Sequence, residues 1–330
     1  RDGDLDAVFS NMRSRNSQVW FNDGTGFFVD SGQELTQQGH GVALGDLDQD
    51  GDLDIFIAVA TYEEDNVSSS MPSKIYLNDG GGIFHDSGQD LGDKNLNGTG
   101  IDLLDIDGDQ DLDALVIHYG TPNKIYLNDG NGMFSDSGKT FPDETTWGDL
   151  DSDGDVDLFV KELGRGYKTM LNDSAGNFTD YWHLEDKDVI YGRVVLGDLD
   201  GDGDQDAIVT NGDQSGSFPT SVLINDGTGK FSKSGQSLEP TYWASVGLGD
   251  LNGDNYPDAL VVNFLRPKDV WLWLNNGTGN FIVSPLDLPS PSGSIGCSLG
   301  DLDGDGDLDV FLADFDGGSN QVWFNSGTHE

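Results

Sequence analysis

Hydrophobic positions along this chain come in short runs rather than in stretches with helical spacing. Ile55-Phe56-Ile57-Ala58-Val59, Ala114-Leu115-Val116-Ile117 and Ala259-Leu260-Val261-Val262 are four or five residues long and rich in β-branched side chains. Such runs, bounded by Asp, Gly and Asn, predict buried strands. A second kind of segment ends in Asn and turns at once, as in Val19-Trp20-Phe21-Asn22-Asp23-Gly24, Ile75-Tyr76-Leu77-Asn78-Asp79-Gly80 and Ile125-Tyr126-Leu127-Asn128-Asp129-Gly130. A Phe follows each turn (Phe28, Phe84, Phe134, Phe178, Phe231, Phe281), which predicts a tight connection into another strand. No segment predicts a helix.

These pieces repeat in a fixed order. The block Gly-Asp-Leu-Asp-x-Asp-Gly-Asp-x-Asp opens at Asp46, Asp105, Asp149, Asp198, Asp250 and Asp301, with variations. A seventh, beheaded copy begins the chain with Asp2, Asp4 and Asp6. The strand ending in Asn recurs seven times, closing at Asn22, Asn78, Asn128, Asn172, Asn225, Asn275 and Asn325. Each period supplies four strands: A enters the acidic loop, B leaves it, C ends in Asn, and D follows the turn. Four strands per period of this length predict an all-β, seven-bladed β-propeller of four-stranded antiparallel blades. Residues 1–330 are expected to form one domain. The first repeat lacks strand A and the last lacks strand D, leaving 26 strands and inviting a longer parent chain, disordered ends, or head-to-tail self-association through donated strands.

Composition sharpens this reading through charge. Sixty acidic residues face sixteen basic ones, a formal net charge of -44. Seven Trp, nine Tyr and seventeen Phe argue against a disordered acidic chain. Nucleic acid is excluded as a partner by the charge, and no apolar run is long enough to span a membrane. The single cysteine, Cys297, excludes an intrachain disulfide.

The acid is concentrated in the loops between strands A and B, where positions one, three, five and nine present hard oxygen donors and position six requires a left-handed backbone. The candidate ligands are Asp46, Asp48, Asp50, Asp52 and Asp54; Asp105, Asp107, Asp109, Asp111 and Asp113; Asp149, Asp151, Asp153, Asp155 and Asp157. They continue with Asp198, Asp200, Asp202, Asp204 and Asp206; Asp250, Asn252, Asp254, Tyr256 and Asp258; Asp301, Asp303, Asp305, Asp307 and Asp309. Position seven is expected to ligate only through its carbonyl. No Cys or His occurs in these loops, which argues against a soft metal. Position twelve is apolar and lies in strand B, which argues against an EF-hand. Six to seven Ca²⁺ ions are therefore expected, with the incomplete first loop the weakest site. Gln110 stands at position six of its loop and predicts a strained turn.

At these loops the chain resembles the FG-GAP/VCBS repeat family, whose best-known relatives are the propellers of integrin α-subunits. The resemblance implies that the loop joins two inner strands of a blade and binds Ca²⁺ through its first, third, fifth and ninth residues. Those would be Asp46, Asp48, Asp50 and Asp54 in one blade and Asp301, Asp303, Asp305 and Asp309 in another, with carbonyls from Asp52 and Asp307. The Gly-Ala-Pro element behind the family name is absent, and the uniform Asn-Asp-Gly turns look more like bacterial secreted repeat proteins. The resemblance implies an extracellular or cell-surface adhesion, matrix or carbohydrate-binding module.

Other signals are weaker. Gly296-Cys297-Ser298-Leu299-Gly300 matches a nucleophile-elbow pattern but runs into an acidic loop instead of a helix, so Ser298 reads as a strand residue. Trp20, Tyr76, Tyr126, Trp273 and Trp323 share one position of strand C and read as blade packing. Basic residues Arg13, Arg15, Lys161, Arg165, Lys168, Arg266 and Lys268 fall in the loops between strands B and C. Tyr191 and Trp243 precede strand A on that same side, so Tyr191, Trp243, Arg165 and Arg266 are the candidate contacts for a protein or glycan. The expected function is a non-enzymatic, calcium-stabilised interaction module, with a lectin or a structural protomer as alternatives.

Overall fold

A computed structural model describes residues 3–11, 15–37, 39–60, 71–92, 98–118, 121–141, 144–190, 192–212, 218–241, 244–263, 270–284, 294–314 and 319–327. Every regular element among them is a β-strand, 26 in all. The first sheet holds β1 (Ala7–Phe9), β2 (Asn16–Asn22) and β3 (Phe28–Gln37). The second holds β4 (Gly39–Gly45), β5 (Asp54–Val59), β6 (Lys74–Asn78) and β7 (Phe84–Asp86). In the third are β8 (Gly98–Leu104), β9 (Asp113–His118), β10 (Asn123–Leu127) and β11 (Ser135–Phe141). The fourth comprises β12 (Glu144–Gly148), β13 (Asp157–Glu162), β14 (Gly166–Leu171) and β15 (Thr179–Glu185). The fifth runs through β16 (Val194–Gly197), β17 (Asp206–Val209), β18 (Thr220–Asn225) and β19 (Phe231–Leu238). The sixth contains β20 (Ser245–Gly249), β21 (Asp258–Val262), β22 (Val270–Asn275) and β23 (Phe281–Val283). The seventh is made of β24 (Ser294–Gly300), β25 (Asp309–Asp314) and β26 (Gln321–Trp323).

In every sheet consecutive strands pair antiparallel, so each sheet is an up-and-down meander and the fold is a seven-bladed β-propeller. The chain divides into two compact units, residues 1–145 with 173–177, and residues 146–172 with 178–330.

Within each unit the core lies between neighbouring sheets. In the first unit, Phe56 and Ile75 of the second sheet pack with Ala114, Val116 and Tyr126 of the third. In the other, Ile208 and Val222 of the fifth sheet pack with Ala259, Val261 and Trp273 of the sixth. This explains why strand B reads as a continuous apolar run. All six residues of β5 are buried, because a sheet lies against each of its faces. Strand D, with β19 as the example, alternates instead because one face meets water. Tyr76, Tyr126 and Trp273 are buried as the repeat position predicted, while Trp20 and Trp323 are half-buried. Ser298 lies within β24.

A polar device between blades was not read from the sequence. Gln33 Nε2 donates to the Gly82 carbonyl at 2.8 Å, and its Oε1 accepts from Phe84 N at 2.9 Å. Gln89 makes the same pair of bonds to Gly132 and Phe134, and Gln236 pairs with both backbone groups of Phe281. A glutamine amide carries a donor and an acceptor side by side, so it can pair with a neighbouring strand as another peptide group would. The recurring Ser-Gly-Gln at 31–33, 87–89 and 234–236 is its signature in the sequence.

Candidate metal centres

Each acidic loop spans nine residues between strands A and B, and its shape follows from carboxylates bonding to nearby backbone. The position-one carboxylate accepts the N–H of position six: Asp46 from Gly51, Asp149 from Gly154, Asp198 from Gly203 and Asp301 from Gly306, at 3.0–3.1 Å. Position five accepts from position seven, as Asp50 does from Asp52 and Asp202 from Asp204. Side chains that hold their own backbone two to five residues on are the usual makers of such turns.

Position six is left-handed throughout, with φ of 88° at Gly51 and 97° at Gly203. Gln110 adopts φ 75° and Asn255 φ 70° at the same position, so the strained turn expected at Gln110 is present. Position four is left-handed as well, at Gln49 (61°), Ser152 (64°), Gly201 (81°) and Gly304 (79°). Sequence reasoning missed this second requirement. The glycines at 108, 201, 253 and 304 were its signal.

Position nine has a structural duty besides any ligand role. Its two carboxylate oxygens accept two backbone N–H groups, one from position two of the loop and one from the Asn that ends strand C. Asp54 takes Leu47 and Asn78, Asp113 takes Ile106 and Asn128, Asp157 takes Leu150 and Asn172, at 2.8–3.0 Å. Asp206 takes Leu199 and Asn225, Asp258 takes Leu251 and Asn275, and Asp309 takes Leu302 and Asn325, at 2.8–3.2 Å. In the first sheet Asp6 accepts from Asn22 at 2.9 Å. The Asn side chains then reach to a preceding loop: Asn128 Nδ2 donates to the Leu47 carbonyl, Asn225 to Leu150, Asn275 to Leu199 and Asn325 to Leu251. The Asn that punctuates strand C thus ties one blade's loop to the next.

Position seven turns its side chain away. A Cβ on Gly80 would lie 2.7 Å from Asp52 Oδ2, and one on Gly24 would lie 2.8 Å from Asp4 Oδ2. Asp204, Asp307 and the ring of Tyr256 lie against Gly227, Gly327 and Gly277 in the same way. The side chain is thereby spent on the turn after strand C, which explains how Tyr256 can replace an acid.

Five loops bring three carboxylates together, with one oxygen from each within 4.8 Å of the others. The groups are Asp46, Asp48 and Asp50; Asp105, Asp107 and Asp113; Asp149, Asp151 and Asp157; Asp198, Asp200 and Asp206; and Asp301, Asp303 and Asp309. Among the buried side-chain oxygens with no hydrogen-bond partner are Oδ1 of Asp46, Asp107, Asp149, Asp151 and Asp200. A buried, unsatisfied carboxylate oxygen costs several kcal/mol, and several converging in one loop make a cradle for a hard cation. The all-oxygen donor set suits Ca²⁺ or Mg²⁺ and not a soft metal. The residues present fit such an ion. Asp109, Asp153, Asp155, Asp202 and Asp305 lie in these loops outside the triads; Asp250, Asn252, Asp254 and Asp258 lie in a sixth loop that forms no triad among the described residues, and Asp2 lies outside the described residues.

Burial pushes the carboxyls at positions three and nine up. Asp113, Asp157, Asp206 and Asp258 reach about 6, against the pull of the two backbone N–H bonds and with the neighbouring aspartates adding to the rise. Asp48, Asp107, Asp151 and Asp200 are raised by burial and then by the position-five charge. A carboxyl raised above its unfolded value contributes stability that is present at low pH and lost as pH rises through the folded value. The metal-free chain should therefore melt at lower temperature as pH rises from about 4 to about 7. A loaded chain should show the opposite slope, because protons compete with the cation for the same oxygens. Melting curves across this range in chelator and in excess Ca²⁺ check the pair; parallel slopes would refute it.

The proposed ligand face is only partly within view. Tyr191, Trp243, Arg266, Arg13, Lys268 and nearly all of the long insertion after Ala60 lie outside the described residues. Arg165 is exposed in the short turn joining β13 to β14. Two basic residues assigned to loops between strands B and C belong elsewhere. Lys161 is fully buried in β13, its Nζ donating to the Thr210 carbonyl at 2.8 Å, and Lys168 lies in β14 paired with Asp180 at 2.9 Å. The connection there is a tight turn, so the strands extend past the positions that composition suggested.

Seven meandering sheets, six of them with a nine-residue acidic loop between their first two strands, define a repeat propeller with acidic loops. The FG-GAP-like repeat model matches residues 1–57, 105–160, 198–261 and 250–312, and the chain belongs to that family. No curated protein matches it. Similar solved structures include an Agrocybe aegerita lectin with specific recognition of non-reducing terminal N-acetylglucosamine. That lectin is 20% identical over 86% of this chain and 76% of its own, with a TM-score of 0.59. Another is BBS1N in complex with ARL6DN, 11% identical over 98% of this chain and 92% of that one, with a TM-score of 0.56. At these identities the likeness is one of fold. No helix of the described residues is long and apolar enough to cross a membrane.

Proposed function

We propose that this chain is an extracellular, non-enzymatic interaction module whose loops bind Ca²⁺ to hold the blades in place. The observation that carries this reading is the repetition of one carboxylate cradle in five described loops, each built into the backbone of its blade. A cradle repeated in five blades serves the scaffold in the same way each time, whereas a catalytic centre needs one asymmetric constellation. FG-GAP repeats are typical of extracellular proteins, where Ca²⁺ is plentiful, which supports that location.

The partner is a glycan or a protein bound on the side of the B–C loops, through Tyr191, Trp243, Arg165 and Arg266. Propellers of similar fold are a lectin and a protein-complex subunit, and aromatic and arginine side chains carry most of the energy of such contacts. A glycan array and a cross-linking screen in Ca²⁺, each repeated with Arg165→Ala and with Tyr191→Ala/Trp243→Ala, test it. Binding lost in the variants at unchanged melting temperature is expected. Turnover of a polysaccharide by the chain would overturn the non-enzymatic reading, and binding indifferent to all these residues would overturn the choice of face.

A further inference from the structure

The loop that opens at Asp250 differs from the other five complete loops at one side-chain ligand position, besides carrying Tyr256 at position seven, where only the carbonyl is expected to ligate. It carries Asn252 at position three, where they carry Asp48, Asp107, Asp151, Asp200 and Asp303. Those five loops each form a carboxylate triad, and among the described residues this one does not. No oxygen of this loop is among the buried atoms that lack a partner. Its backbone is nonetheless the same. Asn252 Oδ1 accepts from Asp254 N at 2.9 Å, as Asp48 and Asp303 accept from Asp50 and Asp305 at 3.3 Å. What differs is Nδ2, which donates to Asp254 Oδ2 at 3.0 Å and so occupies a carboxylate that a cation would use. The next residue is Gly253, exposed and left-handed at φ 79°.

We propose that Asn252-Gly253 is a deamidation site, and that conversion of Asn252 to aspartate turns a weak cation loop into a full one. The calcium half rests on the reading of the loops as Ca²⁺ sites; the chemical step does not. Glycine has no Cβ to block the approach of its main-chain nitrogen to Cγ of Asn252. After giving its proton to a solvent base, the Gly253 nitrogen bonds to Cγ. The Cγ–Nδ2 bond breaks, and Nδ2 leaves as ammonia with a proton from water. Water then opens the succinimide at either carbonyl, giving aspartate or isoaspartate, with no change in oxidation state.

In the closed loop the Gly253 N–H is held by Asp250 Oδ1 at 2.7 Å, so the reaction belongs to moments when the loop opens. A loop with a weakly held cation opens more often than its neighbours. The aspartate product has no N–H to donate, so it frees Asp254 Oδ2 and supplies the missing third carboxylate. The isoaspartate product lengthens the main chain by one carbon and does not restore the site.

The test has two arms on the intact chain. In the first, protein aged in mildly alkaline, Ca²⁺-containing buffer is digested and the peptide holding Asn252 is weighed. Asn131-Gly132 and Asn276-Gly277, both starting at exposed asparagines, serve as internal references. Asn252 should convert at a rate comparable to theirs, and Asn252→Gln should block it. An amide that persists at 252 while Asn276 converts overturns the proposal. In the second arm, Ca²⁺ titration should show one more tight site in Asn252→Asp than in the wild type, tightened roughly tenfold by the added ligand charge. Identical isotherms for the two proteins overturn it. Absence of Ca²⁺ binding at every loop in both proteins would instead bring down the calcium reading, while the mass result stands by itself.

Discussion

Stripping divalent cations with excess chelator is expected to remove the cooperative unfolding transition of this chain or to lower its midpoint by tens of degrees. Mass action gives about 2.7 kcal/mol per site at a hundredfold excess of ion over its Kd. The five loops that form a carboxylate triad would supply about 13.5 kcal/mol on that basis, near the top of the usual net stability of a domain. Electrostatics points the same way. Carboxylates drawn within 4.8 Å in five described loops repel by about 3 kcal/mol per pair at an effective dielectric near 20. Without a cation each triad pushes its own loop open, and the loop's backbone bonds tie strand A to strand C of the blade. The measurement is a melting curve in EGTA against one in millimolar Ca²⁺. An unchanged midpoint would show that the loops do not hold the fold.

The next largest effect is expected from a single position-nine residue. Asp206→Ala removes the acceptor for two backbone N–H groups, Leu199 N at 3.0 Å and Asn225 N at 2.8 Å, in a site with no exposure to solvent. Two orphaned buried donors cost about 1–3 kcal/mol each, so a loss of about 3–5 kcal/mol is expected in the presence of Ca²⁺. Asp206→Asn should be nearly as damaging, since its NH₂ would face one of the two donors. Asp204→Ser, two residues earlier, should cost less than about 1 kcal/mol. Its side chain lies against the Gly227 turn and accepts a single exposed bond, from Ser152 Oγ. Urea unfolding of the three variants decides the matter. Equal losses at 204 and 206 would mean that charge alone, and not the buried double acceptor, sets the hierarchy within the loop.

Much of this molecule was legible in its sequence, for a physical reason. Strand B of the second to sixth sheets is buried on both faces, so those copies are largely apolar. Each loop between strands A and B must hold oxygens and left-handed residues at fixed offsets. Requirements that depend only on neighbours along the chain leave a pattern, and seven repeats make it readable. The strands, their antiparallel order, the left-handed turn at position six and the aspartates at positions one, three, five and nine were all available this way.

Tertiary structure decided what depends on residues far apart in sequence. That Asn128 bonds to the Leu47 carbonyl, and that Gln89 pairs with Gly132 and Phe134, follows from one blade being laid against the next. Only the folded blade reveals that Asp206 serves two backbone donors while Asp204 serves a turn, because both residues read as equivalent acids in the chain. Lys161 looked like a loop cation by composition. Its burial against the Thr210 carbonyl is a property of packing, since a lysine can be desolvated only where a neighbouring sheet supplies an acceptor for its ammonium group.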